Sequence, residues 1–104
     1  MRIDSTVLRW RGYVVLPSYM TFPQLVEWES ISKRLSEMGM TPDLSLLQTT
    51  VLPMICGVVK EWHIEELPEN MTPELFPGSA ELLQWLLTSI LKLFESTNMI
   101  DPNS

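Results

Sequence analysis

The chain has 104 residues, of which 45% are hydrophobic and 19% charged, a composition typical of a folded globular domain rather than a disordered segment. Its 13 acidic and 7 basic residues give a net charge of -6, which repels phosphate backbones and anionic membrane surfaces and argues against nucleic-acid and membrane partners. The single cysteine excludes an internal disulfide and a cysteine-based zinc site.

The length predicts one compact domain over residues 1–95, followed by a flexible tail over residues 96–104. The first residues do not have the apolar block of a signal peptide, and the longest apolar-rich run is too short and too polar to span a bilayer. We therefore expect a soluble protein in a reducing, cytoplasmic compartment.

Residues 6–16 have the pattern of a β-hairpin. Two β-rich runs, residues 7–10 and 13–16, flank Arg11 and Gly12, and the glycine permits a positive φ at the turn. Because an isolated hairpin is only marginally stable in water, we expect it to lie on helices or to extend another sheet.

The following segment predicts a helix that begins after Thr21. The Thr21 hydroxyl can cap the helix, Pro23 suits its first turn, and Gln24 can reach back to complete a capping box. The helix is expected to end at Gly39. Its apolar residues recur at helical spacing: Leu25, Trp28, Ile31, Leu35 and Met38.

A second helix is predicted to start at Thr41, Pro42 and Asp43, which combine a capping hydroxyl, a first-turn proline and a carboxylate at the positive end of the helix dipole. Pro53 removes a backbone donor and clashes with the preceding turn, so the helix should kink or break at residues 50–52. A buried helical segment should then run to about Trp62. A buried strand is the alternative, because periodicity does not separate the two in a short apolar run.

Residues 65–79 are rich in proline and should form a loop, with a single turn at Thr72 that carries Leu75 and Phe76 into the core. Ser79 is then expected to cap a last helix that ends near Phe94. Together these elements predict a mainly α fold: a small domain of three to five helices, one of them kinked or broken near Pro53, with an N-terminal β-hairpin.

The residues that could support chemistry are isolated from one another. His63 is the only histidine, and with Glu65 and Glu66 it offers too few good ligands for a stable metal site. Cys56 is expected to be buried and unreactive, and seven residues of helix would place it roughly 10 Å from His63. We therefore expect a protein that is not an enzyme and that uses no metal and no cofactor.

The last helix carries more apolar surface than one core requires, because its apolar residues cover an arc of about 240° where packing on one side needs about 100°. One stripe can face the domain's own core: Leu82, Trp85, Leu86 and Leu93. We predict that the second stripe, together with Trp62, binds a partner protein. The second stripe consists of Leu83, Leu87, Ile90, Leu91 and Phe94. The alternative is that the helix after Thr21, or the hairpin, covers this stripe.

One part of the sequence resembles a known family. An apolar segment that ends in Trp62 and Ile64, a proline-bearing loop with Thr72, and a returning helix through Trp85 are similar to the tail assembly chaperones of long-tailed, siphovirus-type bacteriophages. The resemblance covers residues 44–93, with the family's tryptophan at Trp62 and its loop cap at Thr72. The N-terminal hairpin and Pro53 depart from the family pattern.

The resemblance implies a non-enzymatic protein of the host-cell cytoplasm. Such a chaperone binds the long tape-measure protein, keeps it soluble and brings tail-tube subunits to it. The family often has a short form and a longer frameshifted form, and this chain would be the short one.

Two other functions remain open. The glutamates between residues 61 and 81 could imitate nucleic acid, which would make the chain a small acidic inhibitor of a basic target. Alternatively, the hairpin could add a strand to a neighbour's sheet, which would make the chain an oligomeric structural subunit. The charge distribution also allows a head-to-tail contact between copies, since Arg2, Arg9 and Arg11 precede the acidic loop.

Overall fold

Helices and a small antiparallel sheet form this protein, for which the computed structural model describes residues 1–39 and 43–97. The fold is mainly α with an N-terminal β-hairpin, as predicted. Within the described residues, the elements in chain order are β1 (Arg2–Asp4), β2 (Gly12–Val15), α1 (Phe22–Met38), α2 (Leu44–Leu46), a π-helical segment (Leu47–Val51), α3 (Leu52–Val58), β3 (Glu61–Ile64) and α4 (Ala80–Thr97).

The hairpin is present, but its first strand lies earlier than predicted. β1 pairs with β2 in antiparallel register, with Ile3 opposite Val14, whereas residues 8–10 form a turn. Ser5 organises this turn, because its Oγ accepts a hydrogen bond from the Val7 N–H at 3.1 Å and donates one to the Trp10 carbonyl at 2.5 Å. The β-rich run at residues 7–10 is therefore held in a turn, and Val7 joins the core.

The sheet has a third strand that the main helical interpretation did not include. α3 ends at Val58 rather than near Trp62, and β3 pairs with the far side of β2, with Trp62 opposite Val14. Lys60 starts this pairing, because its N–H donates to the Val15 carbonyl at 2.8 Å. The strand therefore forms where β2 supplies hydrogen-bond partners, which a helical continuation to Trp62 would have left unpaired.

α1 begins and ends as predicted. Thr21 Oγ1 accepts from the Gln24 N–H at 3.4 Å, and Gln24 Oε1 accepts from the Thr21 N–H at 2.9 Å, which completes the capping box. Trp28 and Ile31 are buried on the inner side of the helix, and Gly39 ends it with a φ of 66°.

The predicted break near Pro53 takes the form of a π-helical segment. The Leu52 N–H bonds to the Leu47 carbonyl five residues back, and α3 follows with Pro53 in its first turn, where a missing N–H costs little. The cap of α2 is Asp43, whose carboxylate accepts from the Leu46 N–H at 3.1 Å. Thr41 and Pro42, the rest of the predicted cap, lie outside the described residues.

The proline-rich loop makes its single turn where predicted, since the Leu75 N–H donates to the Thr72 carbonyl at 3.0 Å. Phe76 packs toward the core, but Leu75 points outward and is 53% exposed, which corrects the expectation for that side chain. Ser79 caps α4 as predicted by accepting from the Leu82 N–H at 3.2 Å.

α4 continues to Thr97, three residues beyond the predicted end, so residues 96 and 97 of the predicted tail belong to the helix. The rest of that tail, residues 98–104, lies outside the described residues. Among the helices of the described ranges, none is both long enough and apolar enough to cross a lipid bilayer.

Candidate protein-binding surface

The inner side of α4 packs as predicted, and it includes one residue assigned to the outer stripe. The four residues expected in the core are buried: Leu82, Trp85, Leu86 and Leu93. Ile90 is also completely buried, with a relative exposure of 0%. Ile90 is therefore a core side chain and does not form part of a surface for a partner in this structure.

The rest of the predicted stripe lies along one flank of α4, at the border between core and solvent. Leu83, Leu87 and Phe94 are half-buried and pack against the core, and the Phe94 ring lies 6.2 Å from the Trp28 ring of α1. Leu91 is 41% exposed. The helix after Thr21 therefore covers part of this flank, and the accessible apolar surface of α4 is narrower than the predicted stripe.

Trp62 lies in the core rather than on a binding surface. It is only 4% exposed, and its ring meets the Phe76 ring edge-on at 6.3 Å. Alternation along β3 explains this position, because Trp62 and Ile64 point to the helical side of the sheet while Glu61 and His63 point away from it. A direct contact of Trp62 with a partner is therefore not available in this structure.

Two large apolar side chains on α1 face solvent, and neither was predicted to form a surface for a partner. Phe22 is 78% exposed and Val26 is 56% exposed. They lie one helical turn apart, on the side of α1 that is turned away from Trp28 and Ile31. The signal was present in the sequence, because neither residue belongs to the apolar stripe that defines the inner side of α1.

The start of α1 and the end of α4 lie at the same end of the molecule. The Met20 N–H donates to Thr97 Oγ1 at 3.1 Å, and Trp28 packs on Phe94. The two helix ends therefore lie beside each other, with Phe22 and Val26 on the outer side of α1 and Leu91 on the outer side of α4. We call this set the helix-end surface: Phe22, Val26, Leu91 and the half-buried Phe94.

The basic N-terminal segment meets the acidic loop within one chain. Arg9 Nη1 lies 2.7 Å from Glu66 Oε2, and both side chains are well exposed, at 64% and 65%. An exposed ion pair of this kind stabilises a fold by at most about 1 kcal/mol. The pairing nevertheless shows that the contact considered between two copies is available inside a single protomer.

His63 lies on the outer face of the sheet. Its ring stacks on Tyr13 at 4.7 Å, and Nε2 lies 3.2 Å from Glu61 Oε1. The Arg2 guanidinium of β1 lies 3.9 Å from the centre of the same Tyr13 ring, which belongs to β2. These contacts are cross-strand packing. Within residues 1–39 and 43–97, no group of three or more His, Cys, Asp or Glu side chains is arranged to hold a metal ion.

Cys56 is half-buried on α3. Burial raises the pKa of its thiol above the ordinary value, and the negative charge of Glu74 raises it further. Because the thiolate is the reactive form, these surroundings make Cys56 a weak nucleophile near neutral pH.

Comparisons of the chain with protein-family models, with curated proteins and with solved structures found no match.

Proposed function

We propose that this chain is a non-enzymatic assembly chaperone that binds a helical client protein through the helix-end surface. The observation that carries the proposal is the outward position of three large apolar side chains on two helices whose ends lie beside each other. Phe22, Val26 and Leu91 are 78%, 56% and 41% exposed. Phe22 and Val26 are one helical turn apart on α1, and neighbouring exposed apolar side chains mark protein interaction sites more often than single ones do.

The chemistry of this surface suits an amphipathic helix. Such a client places its apolar residues at intervals of three and four, so its apolar side can lie along Phe22 and Val26 of α1 or along Leu91 and Phe94 of α4. The net charge of -6 favours a client with basic residues around its apolar side. We expect the chain itself to act in the cytoplasm of the cell in which it is made.

The resemblance of residues 44–93 to phage tail assembly chaperones suggests what the client is. In that family the client is the tape-measure protein, a very long and helix-rich chain. We therefore propose the tape-measure protein of a long-tailed phage as the client, with tail-tube subunits recruited to the same complex.

The proposal is tested by co-expressing this chain with the tape-measure protein encoded in the same genome and measuring how much of the client co-purifies. Leu91→Glu and Phe22→Glu should each strongly reduce recovery of the client, because each places a charge within an apolar contact. Leu8→Glu is the matched control, since Leu8 is 85% exposed in the hairpin turn and does not belong to the helix-end surface.

All three variants change exposed side chains, so their thermal unfolding should stay close to that of the wild type. Equal client recovery with Leu91→Glu, Phe22→Glu and Leu8→Glu would contradict the proposal. Salt separates this mode from the acidic-inhibitor alternative. Apolar binding should persist as the ionic strength rises, whereas binding through carboxylates should weaken steeply.

A further inference from the structure

One side of β1 has no neighbouring strand within the described residues, since the strand order of the sheet is β1-β2-β3. The Leu16 N–H donates to the Met1 carbonyl at 2.7 Å, and the Ser5 N–H donates to the Gly12 carbonyl at 2.8 Å. Because backbone groups alternate sides along a strand, the backbone N–H and C=O of Ile3 also face β2. The backbone groups of the intervening Arg2 and Asp4 therefore face away from the sheet.

A groove of about 670 Å³ runs beside this free edge, between β1 and α4. Ile3 and Met1 line it from the strand, and Trp85, Ser89 and Leu93 line it from α4. The groove therefore separates the free edge strand from α4. A fourth strand added beside β1 would direct its inward side chains toward the groove.

We propose that the groove takes β1 of a second copy of this chain, paired antiparallel about a two-fold axis at Ile3. This register places Arg2 opposite the partner's Asp4 and Asp4 opposite the partner's Arg2. Arg2 and Asp4 are the residues whose backbone groups face outward. Each Arg2–Asp4 pair between the two copies therefore exchanges backbone hydrogen bonds. The sheet becomes six-stranded, and the edge of β1 is no longer exposed.

The charges of β1 support a second copy as the occupant. Arg2 and Asp4 lie on the solvent face of the strand, 62% and 72% exposed, with Arg2 Nε 2.9 Å from Asp4 Oδ1. When two copies of such a strand pair antiparallel, the cation of each copy lies opposite the anion of the other. In the dimer the four side chains form one network of alternating charge.

The groove has a mixed lining, in which Trp85 and Leu93 of α4 offer apolar surface to an added strand. The partner's Ile3 and the partner's Met1 lie on the inward face of the added strand. Met1 is 53% exposed in the single chain, so pairing removes apolar surface from water. The four residues of the helix-end surface are not among the residues that line the groove. The proposed strand pairing therefore uses different residues from the proposed client binding.

Sedimentation equilibrium over a concentration series tests the charge pairing. The wild type should dimerise, and Arg2→Asp and Asp4→Arg should each raise the dissociation constant about tenfold or more, because each turns two attractive pairs into repulsive ones. The double variant Arg2→Asp/Asp4→Arg restores opposite charges and should restore the dimer. Lys33→Asp, an exposed change on α1 with the same charge difference as Arg2→Asp, should leave the dimer intact.

A cysteine at the two-fold axis tests the register. Residues opposite each other in a non-hydrogen-bonded pair have Cα atoms about 4.5 Å apart, which a disulfide can bridge. Ile3→Cys in a Cys56→Ser background should therefore form a covalent dimer on oxidation, whereas Ser36→Cys in the same background should not. The proposal is overturned by a wild type that stays monomeric at every concentration. It is also overturned if the double charge variant fails to restore dimerisation, or if Ile3→Cys does not cross-link.

Discussion

Replacing Gly12 by alanine should lower the free energy of unfolding more than any substitution of an exposed surface side chain. Gly12 has a φ of 134°, a backbone conformation that other residues adopt only with strain of about 1–3 kcal/mol. An added Cβ would also lie 2.1 Å from the His63 carbonyl oxygen and 2.8 Å from Ile64 Cα, both backbone atoms of β3.

Relieving that overlap requires β2 and β3 to move apart, which weakens their hydrogen bonds by about 1 kcal/mol each. We therefore expect Gly12→Ala to lower the free energy of unfolding by about 3 kcal/mol or more. A domain of this size has roughly 5–15 kcal/mol in total, so the variant should be partly unfolded or strongly sensitive to denaturant.

Urea unfolding followed by circular dichroism measures this loss, with Gly57→Ala as the matched control. Gly57 lies in α3, has no positive φ and has no atom within 4 Å of an added Cβ. The alanine there should be neutral or should stabilise the protein by up to about 1 kcal/mol. If Gly12→Ala unfolds within about 1 kcal/mol of the wild type, the close approach of β2 and β3 at this glycine is wrong.

Two further predictions concern α4 and the cysteine. Ile90→Ala should lower the free energy of unfolding in urea by about 2–5 kcal/mol, because Ile90 is buried in the core. Leu91→Ala should lower it by less than about 1 kcal/mol, because Leu91 is exposed. Equal losses would contradict the assignment of Ile90 to the core and Leu91 to the surface. Because burial and the nearby Glu74 raise the pKa of Cys56, its thiol should react with a disulfide reagent near neutral pH more slowly in the folded protein than in urea. Between the ordinary and the raised pKa only the unfolded thiol ionises, so the free energy of unfolding should fall as the pH rises through that range. Equal reaction rates in the folded and unfolded protein would refute the raised pKa of Cys56.

The candidate surface was only partly predictable from the sequence. Helical periodicity correctly assigned the inner residues of α4, but it placed Ile90 and Leu91 on the same outer stripe. Adjacent positions on a helix differ by about 100°, and whether each is covered depends on which neighbour packs there. On α1, helical periodicity defined the inner, apolar side. Phe22 and Val26 do not lie on that side, which explains why they are exposed.

The sequence by itself determined where α1 and α4 begin, because Thr21, Gln24 and Ser79 act on backbone groups only three residues away. It also determined a discontinuity before Pro53, since proline disturbs the turn that precedes it. Only the tertiary structure decided that residues 61–64 form a strand, whereas the turn after Val7 is held by local hydrogen bonds of Ser5. A strand is stabilised by hydrogen bonds to a partner segment, and β2 and β3 are separated by all of α1, α2 and α3. Capping and periodicity depend on near neighbours in sequence, whereas strand pairing and burial depend on segments that only the folded chain brings together.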